Sequence, residues 1–524
     1  MKRLLLGLLF AGTYASNAQP LYLDNMYGSN GSAINQVAGW NKIAHDIVQQ
    51  QDGKIIAVGT EYEMNNDMYY FSLISRFRPN GEIDSSFGTN GSVRLVTGNK
   101  NAVEAVAIDA TGKIYLAGNE YLVQGSAPNV QFVTLPFVAK LNADGTKDNS
   151  FGTAGVSKLQ LPSMYGEQSL AAIAVLPNNK ILVGGTVGAS ELRMVLVSLN
   201  IDGSYNNSFG NAGVGQYTME ANSNSSLWDM AIQTDGKILI AGTSESATLA
   251  DPGNRVFAMA RILSNGMIDN SFGVQGKVLT KVSPNSSFVE DMAHKVLVQP
   301  DGKICLAGTS SNALAIARYL IDGSSDLSFG MNGHIRHQQH PSATGFVSHN
   351  GKLYTCGSIQ SDSGSLDITI SAFNDNGSPD LTLAPDGMLV TNVYNRNYTH
   401  SMLVQGDGKI VTAGSFSDYD NHTGLLLTRF TLNNPTGLKN KTEHDIEVQV
   451  YPNPVNDHLT LSFTNLSLTA PVNIEIVSPS GITVLNTKMN GEKIVIPVSH
   501  LVQGIYLLRI YNEFGTKTLK FVKR

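Results

Sequence analysis

The chain has 524 residues and a mass of 56.1 kDa, too long for one ordinary compact domain unless that domain is a barrel, propeller or solenoid. Hydrophobic residues make up 42% and charged residues only 15%, against about 25% charged in typical soluble proteins, which excludes disorder as the dominant state; the 51 glycines argue for tight turns and short strands rather than long helices. A formal net charge of −6 gives no electrostatic footprint for nucleic acid or an anionic membrane.

At the N-terminus, Lys2 and Arg3 precede the apolar run Leu4 to Phe10, and Ser16 and Ala18 stand three and one before a cleavage point. This predicts a signal peptide over 1–18 and a mature chain from Gln19. The run is too short to span a bilayer, and no other window reaches about 18 uncharged apolar residues, so no transmembrane segment is expected. Cys305 and Cys356 are too few for a disulfide framework and are expected to be small buried residues.

Internal similarity dominates the rest. DGKIIAVGT from Asp52 recurs as TGKIYLAGN from Thr111, NNKILVGGT from Asn178, DGKILIAGT from Asp235, DGKICLAGT from Asp301, NGKLYTCGS from Asn350 and DGKIVTAGS from Asp407. The six intervals from Gly53 to Gly408 average about 59 residues, the kind of period that marks solenoids, propellers or arrays. A second motif follows the first six copies, around Phe87, Phe151, Phe209, Phe272, Phe329 and, degraded, Leu383. In the fourth copy an apolar run at Met230 to Ile232 meets an Asp-Gly turn, followed by strands at Ile238 to Gly242 and Phe257 to Leu263, a turn at Asn265 and Gly266, and a last strand after Phe272. Four antiparallel strands per copy, seven times over, predict an all-β, seven-bladed β-propeller over 19–432. A β-solenoid is the alternative, and the ends of the array weigh against it. The seventh copy lacks its Phe-Gly half, and Asp24, Tyr27, Gly28 and Gly31 match Asp84, Phe87, Gly88 and Gly91, so the N-terminal strand is expected to complete the last blade and close the ring. These residues resemble the delta-60 repeat proteins, named for this period and for the DGKI-x-x-AG signature. The resemblance implies the fold and no particular activity.

One charge pattern repeats as well. Arg76, Lys140, Arg261, Arg318 and Arg429 stand five before the second-turn glycine, or before Asn434 in the last copy; Asp84, Asp148, Asp269, Asp326 and Asp380 stand three after that glycine. The third copy is neutral at both places, Ser198 and Asn206, and the sixth sets Ala372 against Asp380. The expectation is a pair across the outer hairpin of each blade, with Arg429 reaching Asp24; independent surface charges are the alternative.

After Leu432, a polar stretch over 433–445 reads as a linker. From 446 to 524, short alternating strands separated by Pro452, Pro454, Gly481, Gly491, Gly504 and Gly515 predict a small immunoglobulin-like β-sandwich. Tyr451, Pro452, Asn453 and Pro454 with Leu459, the turn at Ser480 and Gly481, Gly504 to Tyr506 with Leu508 and Ile510, and the ending Gly515, Lys520, Phe521 and Lys523 resemble the type A sorting domain of the type IX secretion system of Bacteroidota. The resemblance implies engagement of the outer-membrane translocon and a sortase-like peptidase, and a secreted or cell-surface destination reached through the periplasm. An ordinary accessory domain is the alternative.

No phosphate-cradling, nucleophile-elbow, zinc-protease or EF-hand motif is present, and no cofactor is expected. One constellation arises from the ring. Eight residues before the Gly of each GK turn stand His45, Glu104, Trp228, His294 and His400, with Ala171 and Ala343 in the other copies. They are expected at the start of the innermost strands, at the end that carries the long loops, where a glycan or protein ligand would bind. Two imidazoles and a carboxylate on adjoining blades could also hold a transition metal. Shared strand parity with Ile47, Val106, Met230 and Val296 supports the alternative that they are edge residues packed between blades. The expected function is a non-enzymatic binding module, with a propeller-type hydrolase or lyase using His400, His45 and Glu104, or a purely structural surface role, as alternatives.

Overall fold

The structure is a computed structural model that describes residues 21–37, 39–63, 66–98, 100–124, 131–161, 166–245, 254–284, 289–361, 364–418, 423–431, 447–464, 472–478, 483–489, 491, 493–512 and 515–524. The expected signal peptide and linker, and the turn at Ser480 and Gly481, lie outside these residues. The chain divides into two compact units, 1–434 and 435–524. Among the described residues there is no helix, and so none long and apolar enough to cross a membrane.

The first unit is all-β and propeller-type, built from four-stranded antiparallel sheets. In the fourth copy the strands are Ser225–Ile232, Ile238–Glu245, Arg255–Ile262 and Lys277–Thr280, paired in chain order. The GK turn is a three-residue loop rather than a two-residue one: Gln233 pairs with Lys237, and the Gly236 amide donates to the Gln233 carbonyl at 2.9 Å. Gly236 then needs a φ of 82°, which glycine adopts freely; in the third copy Asn179 takes the same place at 60°, a conformation asparagine tolerates. The first five copies form separate sheets of this kind. The sixth and seventh merge into one nine-stranded sheet through a single parallel bridge between Leu366 and Arg396. In that sheet the N-terminal residues Tyr22–Leu23 and Ser32–Asn35 pair with Thr423–Thr431, in register Tyr22 to Thr431 and Ser32 to Thr428.

The second strands are almost wholly buried, and the cores lie between successive sheets. Ile56, Val58 and Phe87 pack with Val103, Leu116 and Phe137 of the next copy, while Val411, Ala413 and Leu425 of the last copy pack with Tyr27, Ala44 and Ile47. The Phe-Gly motif ties sheet to sheet: the buried ring fills the core and the next amide donates to a turn carbonyl of the following copy. Gly88 reaches Asp144, Gly152 reaches Asp202, Gly273 reaches Asp322, and Gly28 reaches Asn80, all at 2.7–3.0 Å.

The repeated cations are buried, not independent surface charges. Nε of Arg76, Arg261 and Arg318 donates to Asp84, Asp269 and Asp326 at 2.8 Å, and Arg429 donates to Asp24 at 2.9 Å. Each guanidinium lies over the motif's aromatic ring, as Arg76 does over Phe87, and reaches a carbonyl of the next copy, as Arg76 does at Ala143. Lys140 pairs with Asp148 at 3.3 Å, and Ser198 with Asn206 through a neutral hydrogen bond at 3.1 Å. In the sixth copy, which breaks the pattern with Ala372, Lys352 of the GK turn pairs with Asp380. Burial opposes ionisation of Asp84, but Ser86, Arg76 and Lys54 overcome it and hold the carboxyl at about 2.

The second unit has two antiparallel sheets around one core. Glu447–Tyr451, His458–Thr464 and Lys493–Pro497 form one; Thr483–Met489, Val472–Val477, Gly504–Asn512 and Gly515–Lys523 form the other. Leu459, Leu461, Ile474, Leu508 and Phe521 fill the space between them.

Candidate functional site

The innermost strands share an irregularity that the sequence does not display. In six copies the pairing of the first strand with the second skips one residue, and the skipped residues are His45, Glu104, Ala171, Trp228, His294 and His400. Each is a β-bulge, which re-aims its side chain out of the strand's alternation. The shared parity with Ile47, Val106, Met230 and Val296 therefore does not hold, because the bulge resets the alternation just there. The glycine of the AG signature makes room for it: a Cβ at Gly59, Gly118, Gly242 or Gly414 would collide with the carbonyl oxygen two residues before the bulge. The sixth copy has no bulge within its strand Gly345–His349, and the buried Ala343 precedes it.

The re-aimed side chains converge. A cavity of about 510 Å³ is lined by residues of all seven copies, among them His45, Glu104, Ser169, Trp228, Lys295, Thr344 and His400. His45 and Glu104 are joined at 2.9 Å between Nδ1 and Oε2, and the same ring nitrogen donates to the Val103 carbonyl at 3.1 Å. The His400 ring lies 6.3 Å from that of His45, edge to face. Trp228 and His294 form a second such contact at 5.9 Å, and His294 Nδ1 donates to the Ala343 carbonyl. The constellation is thus two groups, His400–His45–Glu104 and Trp228–His294, on one cavity wall.

Electrostatics separates the imidazoles. Burial pushes His45 down, but the Glu104 carboxylate more than compensates and its pKa is raised. Burial, with His45 and Lys295 nearby, pushes His400 down to about 4, and burial lowers His294 too. Among the described residues no group of three His, Cys, Asp or Glu side chains is arranged to hold a metal ion. Cys305 and Cys356 are free and buried.

Sequence reasoning missed the residues one place beyond the bulge. Asp46 Oδ2 accepts from the Val106 amide at 3.1 Å and Oδ1 from Ser401 Oγ at 2.9 Å, linking the first copy to the second and seventh. Asp229 accepts from the Val296 amide at 2.9 Å. Lys295 faces the cavity; burial alone would lower its pKa, but Asp229 and Asp46 acting through space leave it raised, and burial in turn raises Asp229. The residue type changes from copy to copy here, so no repeated signal marked the position. A second cavity of about 480 Å³ adjoins between the first and second copies, sharing His45, Glu104 and Tyr121 and walled by Tyr62, Tyr70 and Lys100.

In the second unit, Tyr451, Pro452, Asn453 and Pro454 are exposed, with both X-Pro bonds cis. The Asn453 side chain ties them to the last strand, accepting from the Val522 amide at 2.9 Å and donating to the Lys520 carbonyl. Gly504 opens its strand, and the buried Tyr506 stacks on Phe521 and donates to the Val502 carbonyl.

Residues 50–87, 110–151, 233–272, 299–329 and 405–433 match the family described as domain of unknown function (DUF5122) beta-propeller, and residues 449–524 match the secretion system C-terminal sorting domain. The chain thus carries β-propeller repeats of that family and a C-terminal sorting domain of the type IX secretion system, and the sorting domain supports secretion to the cell surface. None of the curated proteins matches it. Similar solved structures include PorZ, a bacterial surface component of the type-IX secretion system of Porphyromonas gingivalis (10% identity, 95% of this chain and 82% of that one, TM-score 0.27). Drosophila Semaphorin 2a (8%, 94% and 97%, 0.39) and the arabinanase Arb43A of Bacillus subtilis (14%, 50% and 95%, 0.28) are similar as well.

Proposed function

We propose that the first unit is a seven-bladed ring, closed where Tyr22–Leu23 and Ser32–Asn35 complete the sheet of the last copy, and that it binds an extracellular glycan or protein at the mouth of its central cavity. The pairing of those strands with Thr423–Thr431 and the Gly28 amide on Asn80 support closure. In this reading the leader directs export to the periplasm. The second unit, an immunoglobulin-like sandwich, then engages the translocon and is removed by the sortase-like peptidase.

The observation that carries the binding reading is a division of labour within the repeat. The Arg–Asp pair, the GK lysine and the Phe-Gly ring recur with few exceptions and hold the sheets, whereas the bulge residue changes identity and faces the cavity. Framework positions repeat because every junction has the same geometry; a ligand site inside a ring has no reason to be seven-fold. A hydrolase or lyase would use the His45–Glu104 pair as acid and base, and the module reading expects no turnover. The test is an array of glycans and extracellular matrix proteins probed with the wild-type chain and the Trp228→Ala variant. Signal on wild type that the variant loses supports the reading; signals indifferent to Trp228, or chemical conversion of a bound glycan that Glu104→Gln abolishes, contradict it.

A further inference from the structure

We infer that the ligand of the central cavity is a neutral saccharide, stacked on Trp228 and read through its hydroxyls by Lys295 and Glu104; this rests on the reading of the cavity as a ligand site. Its volume, about 510 Å³, falls in the small-molecule range of roughly 300–1,000 Å³. A protein partner needs a surface of about 800 Å² per side, which a pocket of this size does not offer.

Charge narrows the class. An anion placed over Lys295 would also meet Glu104 and Glu167 on the wall and the field of Asp46 and Asp229; a cation would meet Lys295 and the raised-pKa His45. Neither sign is favoured over the whole cavity. What the wall offers is donors and acceptors side by side: the Lys295 ammonium, committed to no hydrogen bond or ion pair among the described residues, the Glu104 carboxylate, and the hydroxyls of Ser169, Ser226 and Thr344. A molecule dense in hydroxyl groups, each both donor and acceptor, satisfies such a set, and charge-assisted bonds to Lys and Glu are the stronger kind.

Apolar faces are present too. Trp228 is 47% exposed and Tyr121 42%, and both line the cavity, from the fourth and second copies. A bulge holds Trp228 out of its strand, and the ring contact with His294 supports the indole there. Sugar rings pair an apolar face with a polar rim, and an amphipathic aromatic matches that face.

Trp40 and Trp228 are the two tryptophans, so a Trp40→Phe full-length chain makes Trp228 the sole reporter. It is titrated with neutral trisaccharides of glucose, mannose or N-acetylglucosamine, and with trigalacturonate as the acidic counterpart. The expected result is a saturable change in Trp228 emission with at least one neutral trisaccharide, and affinity reduced more than tenfold by Lys295→Met and by Glu104→Gln in chains that melt as the parent does. If Lys295→Met fails to fold, Glu104→Gln carries the test. No response to any neutral trisaccharide, response to trigalacturonate alone, or unchanged affinity in the folded variants overturns the inference. Matrix-protein spots that lose signal on Trp228→Ala would overturn it too while leaving the binding module standing.

Discussion

Arg429 donates from Nε to Asp24 Oδ2 at 2.9 Å across 405 positions of sequence, with the geometry that Arg76 and Asp84 achieve across eight. Lys409 of the last GK turn lies 3.7 Å from the same carboxylate, and the guanidinium covers Tyr27 as Arg76 covers Phe87. Removing one partner of a buried pair leaves the other uncompensated. Asp24→Asn should therefore cost about 3–5 kcal/mol. The double change Arg429→Ser with Asp24→Asn recreates the neutral Ser198–Asn206 pair of the third copy and should recover part of that loss, a coupling of about 0.5–3 kcal/mol in a double-mutant cycle by urea unfolding. An Asp24→Asn chain as stable as wild type would contradict the role given to this pair.

The bulge and the AG glycine form one device. Gly242→Ala would drive a Cβ into the Ser226 carbonyl, two residues from Trp228, at about 1–3 kcal/mol, and should shift Trp228 emission as the bulge moves. Gly406→Ala, with open space around its Cβ and no positive φ, should stay within about 0.5 kcal/mol of wild type. Equal effects of the two would show that the glycine is not what admits the bulge.

The imidazoles should titrate apart. His45 is raised above its ordinary 6.5, so its contribution to stability is fully present below 6.5 and is lost as pH rises through the folded value. His400, at about 4, refuses a proton that the unfolded chain accepts between 6.5 and 4, so its contribution falls as pH drops through that window. Histidine ring signals followed by NMR should place His45 above 6.5 and His400 near 4, and Glu104→Gln should bring His45 down. Joint titration of both rings near 6.5 would contradict the pairing.

Asp84, Asp269 and Asp326, each held at about 2, contribute stability that is present above the ordinary 3.8 and lost as pH falls toward 2. Urea midpoints should therefore drop steeply between pH 4 and 2, and less steeply in a chain where Arg318 and Asp326 are replaced by Ser and Asn. Equal slopes would contradict it.

The Arg–Asp ladder was legible in the sequence because its spacing repeats and because the third copy loses both charges together. Its reach to the next copy was not, since a carbonyl acceptor leaves no trace in residue identity. The bulge residues were found by register and line the cavity; strand parity pointed to the edge-packing alternative because it assumes an unbroken pleat, and the clue to the bulge lay in a neighbouring strand, in Gly59 and its equivalents. Lys295, Asp46 and Asp229 escaped altogether: their register position holds Asp in two copies and Ala, Lys, Thr or Ser in the others, and only the fold brings the two carboxylates close enough to act on Lys295 at the cavity wall.

The central claim is that delivery resides in the second unit and binding in the first, and surface labelling of intact cells tests it most directly. A chain ending at residue 445 should lose labelling while its purified form keeps the wild-type melting transition of the first unit, since the two units have separate cores. Labelling equal to that of the full-length chain would contradict the account.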